Sequence, residues 1–438
     1  MTPGAEVLAS VADPLLQQRF GSTWWRATGA AAALVLVMLA SVAWLLLQGI
    51  GIWGVNTSVV WGFAIANYVW WIGIGNAGTL ISSLLLLTRQ GWRASINRFA
   101  EAMTLFAAAI AGLFPVLHLG RPWLFYWLAP YPNSMQLWPQ WRSALVWDFW
   151  AILGYLMFSL MFWYIGLLPD LATLRDRARN RWAQLAYGAL ALGWNGSARG
   201  WLLLESVYKA MAALAVPLVF SVHSVVGMDF AASLMPGWQS TLFPPYFVVG
   251  AMFSGFAMVA VLAALLRWGL ALQALITPAH FDAIAKFLLF GSIVLGLSYA
   301  TEWFMAWYGG EPAERDMVRY MFGGDYGALY WLMLACNVVA PQLFWWRAAR
   351  RSLVVVCVVA VLINLGMWLE RILIVWNTLS HGFLPGTWRV FTPTLWDWLL
   401  LAGSLGLFAL LYLLFCRLLP VVSMHEVARQ RHEQAAGA

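Results

Sequence analysis

A chain of 438 residues would ordinarily divide into two or three soluble domains, but here 63 % of the residues are hydrophobic and only 10 % charged, against ~45–50 % and ~25 % in soluble domains. The 25 basic and 18 acidic side chains cannot cover a water-facing surface of that size, so most of the surface must face lipid. Soluble, collagen-like, disordered, nucleic-acid-binding and disulfide-scaffold classes are thereby excluded, and the net charge of +7 needs a topological explanation before any acidic partner.

An apolar helix crosses the hydrocarbon core with about 20 residues. Ten stretches meet that length: 27–48, 59–88, 97–118, 143–168, 202–226, 244–276, 283–308, 326–346, 351–377 and 393–419. The expected fold is therefore all-α, a ten-helix membrane domain over 27–419, with a segment 1–26 before it and a tail 420–438 after it. The first stretch is too long for a signal-peptide core and is read as a span. The longest connection, 169–201, is too short for a soluble domain. Cys336, Cys357 and Cys416 lie in apolar runs with no C-x-x-C pair, which suits buried spacers and neither iron–sulfur ligation nor a disulfide framework.

An even number of spans puts both termini on one side. That side carries 18 of the 25 Lys and Arg, among them Arg89, Arg93, Arg98, Arg175, Arg177, Arg179, Arg181, Arg347, Arg350 and Arg351. The positive-inside rule makes it cytoplasmic. The opposite side has low charge and many prolines and aromatics, such as Trp123, Tyr126, Trp127, Tyr131, Trp138 and Trp141. Such loops suit an ordered interfacial surface on which an extracytoplasmic partner docks, or an aromatic belt without a partner. Residues 235–246 and 384–395 repeat a Pro-Gly…Pro pattern at an offset of 149 residues, about four helices. They suggest two parallel four-helix bundles, 59–226 and 244–377 (helices 2–5 and 6–9), with two peripheral helices.

Ionisable groups inside spans each require a partner or a function, since one at the bilayer centre costs roughly 2.5–3.5 kcal/mol. Glu205 and Lys209, four apart with Glu first, suit an ion pair or a proton relay. Glu370 and Arg371 are adjacent and point apart, so each should find a partner on another helix, with Glu302 a candidate. Asn67, Asn76 and Asn364 add polar points. Towards the outer end, His118, Arg121, Asp148, His223 and Asp229 come to one depth, and Pro115 and Pro217 each remove a helix hydrogen bond just below a histidine. A histidine and a carboxylate at an interface can take the two protons of a hydroquinone, or be no more than interfacial caps. Gly73, Gly75 and Gly78 match G-x-G-x-x-G, but no strand precedes them, and close helix packing explains them better. Haem ligation would have only His118 and His223 as a span-end pair.

Several runs carry a family resemblance: GIGNAGTLISSLLLLTRQGWRASINRFAEAMT (73–104), FPVLHLGRPWLFYWLAPYP (114–132), LVWDFWAI (145–152), SVHSVVGMDFA (221–231), EWFMAWY (302–308), NLGMWLER (364–371) and FTPTLWDW (391–398). Together they resemble NrfD/polysulfide-reductase-type membrane subunits and are most similar to the quinol-binding (ActC) subunits of alternative complex III, with the paralogous ActF subunits nearby. The resemblance implies ten helices in a bacterial inner membrane. It also implies quinol oxidation near the outer face, with menaquinol preferred and no haem or iron–sulfur cluster on this chain. Its implied partners are a peripheral iron–sulfur subunit, a multihaem cytochrome c subunit and a paralogous ten-helix subunit, without which the chain would not be active. Carried over by motif, His118 and Asp148 are the catalytic pair, and Arg121 joins them in the quinol pocket. Glu205, Lys209, His223, Asp229, Glu302, Glu370 and Arg371 map onto a proton path. Asn76 departs from the family, which has histidine there, so proton translocation would follow a different course. A structural ActF-like subunit and a secondary transporter remain as alternatives; the latter predicts inverted repeats and a midplane site.

Overall fold

A computed structural model describes residues 11–13, 15–16 and 21–436, so most of the expected N-terminal segment lies outside the described residues. Those residues are helical or irregular, with no strand among them. Among the described residues, ten helices are long and apolar enough to cross a membrane: α1 (Ser22–Gln48), α2 (Gly62–Leu87), α3 (Asn97–His118), α4 (Ala144–Arg177), α5 (Ala198–Ala231), α6 (Phe243–Gly269), α7 (Pro278–Gly309), α8 (Gly327–Trp345), α9 (Leu353–Ser380) and α10 (Leu395–Leu418). Each coincides with one of the ten apolar stretches. The connection 169–201 is mostly helical, because α4 runs on to Arg177 and a further helix covers Arg181–Leu190. After α10 comes α11 (Met424–Ala436), on the face where both ends of the described chain lie.

Two rings of four helices form the body. α2, α3, α4 and α5 pack in sequence with α5 returning to α2, and α6, α7, α8 and α9 do the same. The rings meet where α2 packs on α6 and α9, and α5 on α6, while α1 pairs with α10 along one side. Small residues allow the closest contacts. A Cβ on Gly78 would collide with the Ala100 carbonyl of α3, and one on Gly75 would stand 3.1 Å from the Ala108 nitrogen. The glycine motif thus serves helix packing, where dispersion replaces the hydrophobic effect as the attractive force.

α8 is irregular. It is α-helical over Gly327–Leu334, a π turn over Ala335–Val339 and 3-10 over Ala340–Trp345. Pro341 has no N–H to give the Asn337 carbonyl, and Ser292 of α7 donates to that carbonyl instead, at 2.7 Å.

The loops on the face opposite the termini are ordered. Pro122–Leu128 forms a 3-10 turn and Pro312–Gly323 a helix. Gly237 N–H donates to both carboxylate oxygens of Glu314, at 3.1 and 3.0 Å. Burial pushes the Glu314 carboxyl above the ordinary range, the Gly237 N–H opposes that rise and nearby Glu311 adds to it. A group raised in this way favours the fold at low pH and loses that contribution as pH rises past the unfolded value.

Gly78→Ala should destabilise the chain by about 1–3 kcal/mol through overpacking, read as a lower thermal midpoint in detergent. Gly112→Ala, on α3 where a Cβ meets nothing within 4 Å, should leave the midpoint unchanged or slightly raised. Equal losses in the two variants would contradict the packing role of the motif.

Candidate functional site

Alternation of the helices brings the C-terminal end of α3, the N-terminal end of α4 and the C-terminal end of α5 to one face, opposite the termini. α3 ends at His118 because Gly120 adopts the left-handed conformation (φ 69°), donating from its N–H to the Leu117 carbonyl at 3.0 Å. The imidazole stacks on Trp53, with centroids 5.8 Å apart and planes 8° from parallel. Trp53 is held in turn from α10. Gly54 N–H donates to Asp397 Oδ2 at 2.9 Å, and Thr394 Oγ1 donates to the Ile52 carbonyl at 2.9 Å. Asp397 also closes the capping box of α10 through Thr394. Its position in the FTPTLWDW run marked it in the sequence, but its reach across 343 positions to Gly54 could not be read there.

Asp148, one turn into α4, is buried and accepts a hydrogen bond from the Tyr68 hydroxyl of α2. Asp229 lies against the same carboxyl group. No hydrogen bond or ion pair joins His118 to Asp148 among the described residues, so the two expected partners share a face and not a bond. Arg121 follows α3 at the N-terminal edge of the Pro122–Leu128 turn and is exposed.

His223 is deeper than expected. Asn76 Nδ2 donates to its Nδ1, and both side chains are buried. Asn76 follows Tyr68 by eight residues, about 12 Å along α2 at the usual helical rise, so His223 stands well below Asp148. An imidazole from α5 thus stands beside position 76.

In the second ring, Glu370 Oε1 and Arg371 Nη1 are 3.0 Å apart, closer than side chains expected to point apart. The angle denies them a hydrogen bond. Glu370 Oε2 instead accepts from Tyr299 and, at 3.3 Å, from Asn337. The Arg371 guanidinium lies 4.1 Å over the Phe247 ring, in cation–π contact. Glu302 does not bond Arg371; it lines, with Glu370 and Tyr299, a cavity of about 30 Å³, room for one water. Glu205 and Lys209 form the expected i,i+4 pair, 3.1 Å apart and about half exposed.

One buried cluster escaped the sequence reading. Arg98 is 1 % exposed, yet Nη2 donates to Asp170 Oδ2 at 3.0 Å and to the Gly166 carbonyl at 2.6 Å, with Glu101 4.0 Å away. Glu101 accepts from Ser82 at 2.5 Å and Tyr208 at 2.8 Å. Arg98 counted as an orientation signal because its neighbours in sequence are basic; only its helix partners reveal that it is the buried counter-charge of Asp170, with Glu101 nearby.

Among the described residues no three His, Cys, Asp or Glu side chains converge as a metal site. Three features define the face opposite the termini: a stacked histidine, a tyrosine-held carboxyl and a second carboxyl beside it.

The family described as "Polysulphide reductase, NrfD" matches residues 52–380. A Halobacterium salinarum protein described as the membrane C subunit of a dimethyl sulfoxide reductase is 29 % identical over 54 % of this chain, a match spanning about half (50 %) of that relative's length. The selenate reductase C subunit of Mesobacillus selenatarsenatis is 23 % identical over 85 % of this chain and 88 % of its own length.

Replacing Arg98 by Leu should cost about 3–5 kcal/mol, because it leaves Asp170 buried without the guanidinium that pairs it. The measurement is recovery of monodisperse protein and its thermal midpoint in detergent. Lys209→Ala, which breaks an exposed pair, should change neither appreciably.

Proposed function

The chain belongs to the NrfD, polysulphide reductase family, and we propose that it is the quinol-oxidising membrane subunit of an oxidoreductase complex, reacting at the face opposite its termini. The observation that carries this reading is a set of orphaned polar atoms at that face. Among the described residues, His118 Nδ1 is buried without a hydrogen-bond partner, and Asp148 Oδ1 and Asp229 Oδ1 are buried with no donor from any other residue, their two carboxyl groups lying against one another. An unmet buried polar atom costs about 1–3 kcal/mol, and a ligand that brings hydroxyl groups on an apolar ring would relieve that cost at this face.

A bound quinol supplies two electrons and two protons. Of the chain's own groups, His118 Nδ1 is free to take a proton, with Trp53 stacked on its ring. Tyr68 occupies Oδ2 of Asp148 and leaves Oδ1 to accept the second proton. Asp229, against the same carboxyl, is placed to receive a proton from it. Arg121 at the exposed rim completes the pocket electrostatically. His223 with Asn76, and Glu302, Glu370 and Arg371 in the second ring, form the candidate proton route through the membrane, with Glu205 and Lys209 at its other end.

The excess of basic residues on the terminal face supports cytoplasmic termini in a bacterial inner membrane, with protons released outside. The matching order of contacts in the two rings supports reading them as copies of one four-helix unit, 59–226 and 244–377. Motif resemblance favours an assembly of the alternative complex III kind, in which menaquinol electrons pass to an iron–sulfur subunit on the Trp-rich loops and then to a multihaem cytochrome c subunit, beside a paralogous ten-helix subunit. The names of both relatives favour a second reading, in which the acceptor is a reductase of a sulfoxide or an oxyanion. Purification of the tagged chain with its neighbours separates these: c-type haem absorption supports the first, and a haem-free complex that oxidises quinol with dimethyl sulfoxide or selenate supports the second.

In the purified complex, His118→Gln and Asp148→Asn should each slow quinol-driven reduction of the acceptor by roughly 10²–10⁴-fold, with the same set of partners retained. Wild-type turnover in both variants would overturn the assignment.

A further inference from the structure

The terminal face holds a cleft of about 800 Å³, far from the reacting groups. It opens between the ends of α2, α4 and α5, and α11 forms its floor. One wall is apolar, with Leu85, Leu86, Trp201 and Leu204. That wall continues onto the outside of α5, where Leu202, Leu203 and Val207 are exposed. The other wall carries Arg89, Arg93, Lys209 and Arg429.

The carboxylates in this cleft are already engaged. Glu426 takes Arg93 Nη1 at 2.6 Å and Asn97 at 3.2 Å, Asp170 takes Arg98 at 3.0 Å, and Glu205 lies 3.1 Å from Lys209 and 3.8 Å from Arg429. Cationic capacity is left over. Arg93 is 5 % exposed, its Nε donates to the Ser82 carbonyl at 3.0 Å, and its Nη2 has no partner. Arg89, at the end of α2, is exposed, and its side chain makes no hydrogen bond or ion pair among the described residues.

We propose that this cleft binds the phosphodiester headgroup of an anionic phospholipid, with an acyl chain lying along Leu204 and the exposed leucines of α5. A buried guanidinium with an idle Nη calls for an acceptor, and a phosphate oxygen is the acceptor that guanidinium geometry suits best. Basic pockets between helix ends at the membrane surface are suited to anionic headgroups. A free phosphate shares the charge chemistry but would leave the apolar wall uncovered, and this favours the lipid. The site stands apart from the quinol reading and does not depend on it.

The test uses the full chain in neutral detergent, titrated with phosphatidylglycerol, phosphatidylcholine or inorganic phosphate and followed by native mass spectrometry and thermal unfolding. Phosphatidylglycerol should be retained and raise the midpoint, and the other two should do neither. Arg89→Gln should weaken retention about fivefold, the effect of one basic group near a headgroup. Arg142→Gln, an exposed arginine on the opposite face, should leave it unchanged. Equal retention of phosphatidylcholine, an equal effect of inorganic phosphate, an unaltered Arg89→Gln variant or an equal loss in Arg142→Gln would each overturn the proposal.

Discussion

A helix enclosed by other helices can find partners for its polar side chains only on its neighbours, because neither water nor lipid reaches them. α2 is that helix here. Asn67 accepts from Trp368 of α9 at 2.8 Å, Tyr68 donates to Asp148 of α4, and Trp71 donates to Ser404 of α10 at 3.1 Å. Asn76 bonds His223 of α5, Thr79 bonds Ser159 of α4 at 3.3 Å, and Ser82 bonds Glu101 of α3 at 2.5 Å. One helix thus fixes the rotation and height of five others. Each bond contributes little by itself, but breaking one leaves a buried polar group alone, which costs more than the bond contributes.

The same helix separates the two ends chemically. At the face opposite the termini, Asp148 and Asp229 have no cation beside them among the described residues; at the terminal face, the buried Arg98 guanidinium stands beside Asp170 and Glu101. Matched charge holds a structure together, and an unmatched polar atom is where a ligand can bind. Between the two ends, the Asn76–His223 contact buries an imidazole within the bundle, and it crosses from α2 to α5 near the join of the two rings.

How much of this was legible in the sequence varies with the physics involved. The ten spans were, since a stretch of about 20 apolar residues has few other fates. The packing role of Gly73, Gly75 and Gly78 was also legible, because nothing else around them supports a nucleotide site. Glu370 and Arg371 were legible in part: Glu370 takes its hydrogen bonds from Tyr299 and Asn337 on other helices, while Arg371 Nη1 also comes within 3.0 Å of Glu370 Oε1. His223 was placed too high because sequence gives a residue's position along its own helix but not the height at which that helix docks. Tyr68, Trp53 and Asp397 carried no local signal of the partners they hold.

By itself, the amino-acid sequence determined the class, the number of spans, their alternation and the asymmetry of basic residues, because each follows from local hydrophobicity and from charge counted along the chain. The motifs also brought His118 and Asp148 to one face. Only the tertiary structure decided which groups touch: Tyr68 and Asp229 with Asp148, Trp53 with His118, Arg98 between two acids, and the leftover Arg93 nitrogen in the terminal cleft. Contacts between helices depend on rotation and relative height, and a polar atom is known to be satisfied or orphaned only once all its neighbours are in place.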